Sequence, residues 1–161
     1  METGIEYESD FHSWAMKNAR LLRERNFPEI DADHIAEELE AMGRSEKRQL
    51  VNRLSVLIAH LLKWKYQAVR RPRSWQNTIL NQRMDIADLL EDSPSLRHGL
   101  EEQVARAYRK ARLKAEMETG IEKEQFPEAC PFSPENILEE DFFPGTDTPL
   151  TTVLFPPGRR A

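Results

Sequence analysis

From Ile35 to Trp64 apolar residues return at helical steps: Ile35, Leu39, Met42, then Leu50, Leu54, Leu57, Leu61 and Trp64. Steps of three and four put side chains on one face of an α-helix, whereas a half-buried strand needs strict alternation. The stripe is blank between Gly43 and Gln49, and two explanations compete. The helix breaks at Gly43 and restarts at Ser45, or one long helix carries a polar patch where Glu46 stands in for an apolar residue. A helix from Asp33 to Gln67 would span about 50 Å at the usual rise per residue. That is long for a chain of 161 residues, so a bend near Gly43 is the expectation.

Flanking segments obey the same period. Phe11, Trp14, Ala15, Leu21 and Leu22 predict a helix over about Ser9–Arg25, ended by Phe27-Pro28. Asp31 or Asp33 can cap the second helix. Arg71-Pro72 ends it, because a residue before proline leaves the helical region. Ser74 then opens a third helix carrying Trp75, Ile79, Ile86, Leu89 and Leu90, with Arg83 interrupting the stripe. Ser93-Pro94 signals a fourth, which uses Leu96, Leu100, Val104, Ala107, Ala111 and Ala115 and stops at Gly120. Eight of the ten prolines lie after residue 90, so the chain beyond Gly120 differs in kind. There, Ser133-Pro134-Glu135 starts a short helix through Asp141, with Ile137, Leu138, Phe142 and Phe143 docking on the rest. The expected fold is all-α: a four-helix-type bundle over 1–144 with a Pro-rich acidic C-terminal strap containing one short helix. Residues 145–161 form a flexible tail.

Several segments, in order and spacing, match one pattern: IAEELEAMGRSEKRQL, LIAHLLKWKYQ, RPRSWQNTILNQR, LLEDSPSL and FPEACPFSPENILEEDFFP. Over Tyr7–Pro144 the chain resembles the bacterial family catalogued as domain of unknown function twenty-nine. The resemblance implies a helical bundle and a bacterial cytoplasmic origin, and it brings no reaction, ligand or catalytic residue.

Charge is distributed unevenly. The chain totals −5, yet residues 63–84 hold six cations, two tryptophans and one tyrosine with no acid. Cations beside rings are what a single-stranded nucleic-acid groove uses, and Lys65, Arg70, Arg71, Arg73 and Trp75 are the binding candidates. Against that reading, Trp64 and Trp75 continue apolar stripes, and the acidic stretch from Glu118 to Asp147 can cover the basic block and regulate access to it.

Glu46 and Arg83 each interrupt a stripe, which predicts a buried or half-buried ion pair completed by Arg44, Ser45, Gln49 and Arg73, its role registry, with catalysis the alternative. His60, on the shoulder of the Leu57–Leu61–Trp64 face, is expected to be partly buried and bonded to a neighbour. His34 with Glu37 and Glu38, and His98 with Glu101 and Glu102, are weak metal candidates, in the reverse order of the di-iron Glu-x-x-His pattern. The lone Cys130 has no partner for a disulfide and no nearby base in the sequence. METGIEYESD lacks the marks of a secretory leader, and no apolar run is long enough to cross a bilayer.

These observations predict a cytoplasmic, non-enzymatic helical module that contacts another macromolecule, expected to be a protein, with no cofactor. Direct nucleic-acid binding through 63–84 is the alternative. A metal-dependent enzyme using the His/Glu pairs is a second.

Overall fold

The computed structural model describes residues 2–145. It is all-α, with no strand among the described residues. The helices are α1 (Glu2–Ser9), α2 (Phe11–Arg23), α3 (Ala32–Tyr66), α4 (Arg73–Asp92), α5 (Leu100–Thr119) and α6 (Pro134–Leu138). By contact the chain divides into two compact units, Met1–Glu46 and Lys47–Ala161. Helix α2 thus belongs to one unit, and α4 and α5 to the other.

In the first unit, Asp10 caps α2 by accepting from the Ser13 N–H at 3.0 Å. This cap divides the expected first helix from α1, which its polar sequence concealed. Trp14, Asn18 and Leu21 line the buried face of α2.

Helix α3 runs unbroken through Gly43, so the break there with a restart at Ser45 does not occur. A glycine inside a helix costs only about 1 kcal/mol. The surrounding turns supply continuity, including an Arg44–Glu40 ion pair at 3.6 Å, four residues apart.

The core of the second unit is built from the C-terminal half of α3, from α4 and α5, and from the chain after Gly120. Leu50, Leu54, Leu57, Leu61 and Trp64 meet Ile79, Ile86 and Leu90 of α4, and Val104, Ala107, Ala111 and Ala115 of α5. Phe126, Phe132, Ile137 and Phe143, from the chain after Gly120, complete this core. Fully burying a side chain of that size contributes about 1.5–3 kcal/mol, enough to fix a segment with little regular structure.

Two helix starts differ from expectation. Helix α4 begins at Arg73 after Pro72 rather than at Ser74. The fourth helix opens as a 3-10 turn, Pro94–Arg97, and restarts as α5 after Gly99, whose φ of 74° suits glycine. Gly120, at φ 76°, ends α5 as expected. Ser133 caps α6, its hydroxyl accepting from the Asn136 N–H at 3.1 Å. Helix α6 stops at Leu138 rather than Asp141, and the carbonyls of Asn136 and Ile137, which a further turn would use, accept from Arg83. The flexible tail expected over 145–161 lies, beyond residue 145, outside the described residues.

Candidate functional site

The connection from α3 to α4 carries most of the basic stretch, and the fold divides its six cations by role. Lys63 is buried at 5% exposure. Its ammonium pairs with Glu118 at the end of α5, lies 3.5 Å from His60 Nε2 and sits 4.6 Å from the centre of the Trp75 ring. His60 donates from Nδ1 to the Val56 carbonyl at 2.9 Å, which leaves Nε2 to accept from Lys63. Burial, then the Lys63 charge, holds the imidazole pKa below its ordinary value. His60 is thus partly buried and bonded to its own helix.

Arg83 is buried at 4% exposure. Its guanidinium donates to the carbonyls of Ile137 at 2.8 Å, Glu140 at 3.0 Å and Phe142 at 2.8 Å, with a weaker bond to Asn136 at 3.4 Å. Burial lowers its pKa to about 10, partly offset by Glu139, Asp141 and Glu140. Glu46, by contrast, is exposed on α3, as are Ser45 and Gln49. Arg44 is exposed and paired with Glu40, and Arg73 is exposed. The buried Glu46–Arg83 pair is thus replaced by a cation that gathers backbone carbonyls. Sequence supplies no signal for that, because carbonyls are common to every residue.

Arg71 is half-buried. It donates from Nε to the Trp64 carbonyl at 2.9 Å and lies 5.2 Å from the Trp64 ring centre, so it caps the end of α3. Trp64 is in the core at 1% exposure and meets Phe143 with ring centres 4.7 Å apart. Trp75 is partly buried against the same core. The remaining cations, Lys65, Arg70 and Arg73, are exposed, and so is Val69 at 101%. The acidic stretch touches the basic one through the Glu118 carboxylate at Lys63, through rings at Trp64, Tyr66 and Lys65, whose ammonium lies 5.9 Å from the centre of the Phe132 ring, and through carbonyls at Arg83.

The metal candidates are not assembled. Among the described residues, no group of three or more His, Cys, Asp and Glu side chains converges. His98, Glu101, Glu102 and Glu37 are exposed. His34 instead joins a cluster in the first unit that sequence reading missed. Its Nδ1 lies 2.7 Å from Asp31 Oδ2, which also accepts from the Trp14 indole at 2.9 Å, and its ring stacks on Tyr7 at 4.1 Å. Tyr7 donates to Glu38, a bond that raises the phenol pKa to about 12. The bond to Asp31 raises the His34 pKa. The Asp31–His34 spacing of one helical turn is the local signal that could have revealed part of this cluster.

Cys130 lines an open cleft of about 380 Å³ with Tyr108, Arg109, Glu101, Glu128 and Phe132. Burial raises its thiol pKa, which opposes a nucleophilic role.

Comparison with family models gives one match, to Domain of unknown function DUF29, over residues 6–143. The chain belongs to the DUF29 family. No match was found among curated proteins or among solved structures. The matched region of this DUF29 chain takes in both the His34 cluster and the α3–α4 connection. No helix among its described residues is long and apolar enough to cross a membrane.

Proposed function

We propose that this DUF29 protein is a non-enzymatic interaction module whose α3–α4 connection contacts an acidic surface of another protein. The observation that carries the reading is that Arg70 and Arg73 are exposed in the same short connection as the fully exposed Val69, with Lys65 exposed at the end of α3. An exposed apolar side chain in a segment that carries exposed cations suits a small, charge-steered protein contact. Nucleic-acid binding fits less well, because the Trp64 ring that would stack on bases is in the core and Trp75 is covered by Lys63. A bacterial cytoplasmic setting accords with the single thiol, Cys130.

The test places a photo-reactive amino acid at Val69 and compares the otherwise unaltered chain with Arg70→Glu/Arg73→Glu in the source cells. A discrete protein adduct, lost on charge reversal, supports the reading. In parallel, random oligonucleotides are titrated at low and near-physiological salt. Tight, salt-sensitive binding lost on charge reversal would overturn the reading in favour of nucleic acid.

A further inference from the structure

Residues 67–72 join α3 to α4, and their two ends are held differently. At the α3 end Arg71 donates to the Trp64 carbonyl. At the α4 end the first turn has neither a side-chain cap nor an acid. Trp75, in that turn, packs on the core and lies under the buried Lys63 ammonium. Lys63 therefore braces the start of α4.

The brace depends on one lone pair. His60 Nδ1 is committed to the Val56 carbonyl, so Nε2 meets the Lys63 ammonium at 3.5 Å as an acceptor. A proton on Nε2 removes that acceptor and sets two cations against each other where water screens them poorly. The charges acting on His60 are Lys63 on its own helix and Glu118 and Lys114 on α5, while α4 contributes the Trp75 ring beside Lys63. One half-exposed carboxylate, Glu118, then has an imidazolium as well as an ammonium to serve. Relief comes when Lys63 turns out to water on its flexible stem and leaves the Trp75 ring.

We infer, resting on the reading of the α3–α4 connection as a docking site, that protonation of His60 releases Lys63 from Trp75 and loosens this connection. Every residue involved belongs to the second unit. A looser connection must be ordered when it binds, so acid weakens the contact. Burial and the Lys63 charge hold the His60 pKa below its ordinary value. The brace is thus intact at neutral pH and lets go as pH falls through that lowered value.

The test reads the connection in the full chain and needs no partner, so it can fail while the proposed contact stands, and the reverse. Fluorotryptophan resonances, assigned through Trp75→Phe, are followed by nuclear magnetic resonance from about pH 8 to about pH 5, beside the His60 ring. Backbone order parameters of residues 67–71 are measured over the same range. The expected result is one transition shared by His60, the Trp75 resonance and these amides, whose order parameters fall below about 0.6 at the acid end. Lys63→Met keeps an apolar stem against Trp75 and removes the ammonium. There His60 should titrate closer to its ordinary value while the amides stay as ordered in acid as at neutral pH. His60→Gln, neutral throughout, should abolish the transition. A Trp75 shift without loss of amide order, a transition that persists in Lys63→Met, or a His60 that stays neutral down to about pH 5 overturns the inference.

Discussion

Replacing Arg83 with methionine keeps an unbranched apolar stem and removes the donors that hold the chain after Ser133. Three good bonds are lost, to Ile137, Phe142 and Glu140 at 2.8, 2.8 and 3.0 Å, with the 3.4 Å bond to Asn136 adding little. Hydrogen bonds from a charged donor contribute about 1.5–3 kcal/mol each, so the gross loss is about 4.5–9 kcal/mol. Against this stands the cost of burying a guanidinium, visible in a pKa lowered to about 10. The net expectation is a destabilisation of about 3–5 kcal/mol, the size seen when a buried charged network loses a member. For a chain of this length that lowers Tm by about 10 °C. The assay is thermal unfolding by circular dichroism, with limited digestion by a glutamate-specific protease. Cleavage at the exposed Glu139 and Glu140 should accelerate as the segment detaches. Arg83→Lys should fall between wild type and methionine, because one ammonium cannot span three separated carbonyls. A Tm loss under about 3 °C for the methionine variant, with unchanged digestion, would refute the reasoning.

Nuclear magnetic resonance titration of the histidine rings should separate His34, titrating above the ordinary value, from His60, titrating below it. The linkage signs are opposite. The His34–Asp31 contribution is complete below the unfolded histidine pKa and fades as pH rises through the raised folded value. Stability from neutral His60 is present above the unfolded pKa and is lost as pH falls toward its depressed folded value. Asp31→Asn should return His34 toward the ordinary range while leaving His60 unmoved. Glu118→Gln removes the carboxylate from the buried Lys63 and should cost about 1–3 kcal/mol in denaturant unfolding, below a fully buried pair because Glu118 is half-exposed. Gly43→Ala meets no atom within 4 Å and should raise stability by up to about 1 kcal/mol, read in the same assay.

Helix identity and most helix ends were legible in the chain because they depend on groups a few residues apart. Pro72 and Gly120 act through their own backbone, and Ser133 through a hydroxyl bonded three residues on. The face of α5 from Val104 to Ala115 follows from helical period alone. Period also marked Arg83 as an anomaly, since a charge in an apolar stripe must be satisfied somewhere. Its partner was out of reach of sequence reasoning. Opposite sign points to Glu46, whereas the actual partners are carbonyls of residues 136–142, which every residue offers and only the tertiary fold converges. The same limit applied to Leu39 and Met42. Periodicity placed them on the face that is buried further along α3, but whether a neighbour covers that face is decided by other parts of the chain. It applied as well to the six cations of residues 63–84. Composition grouped them, and tertiary structure divided them: Lys63 and Arg83 went inside, Arg71 to a helix end, and Lys65, Arg70 and Arg73 to solvent. Local hydrogen bonding and periodicity are properties of a segment, whereas burial and partnership belong to segments far apart in sequence, and only the folded chain brings those together.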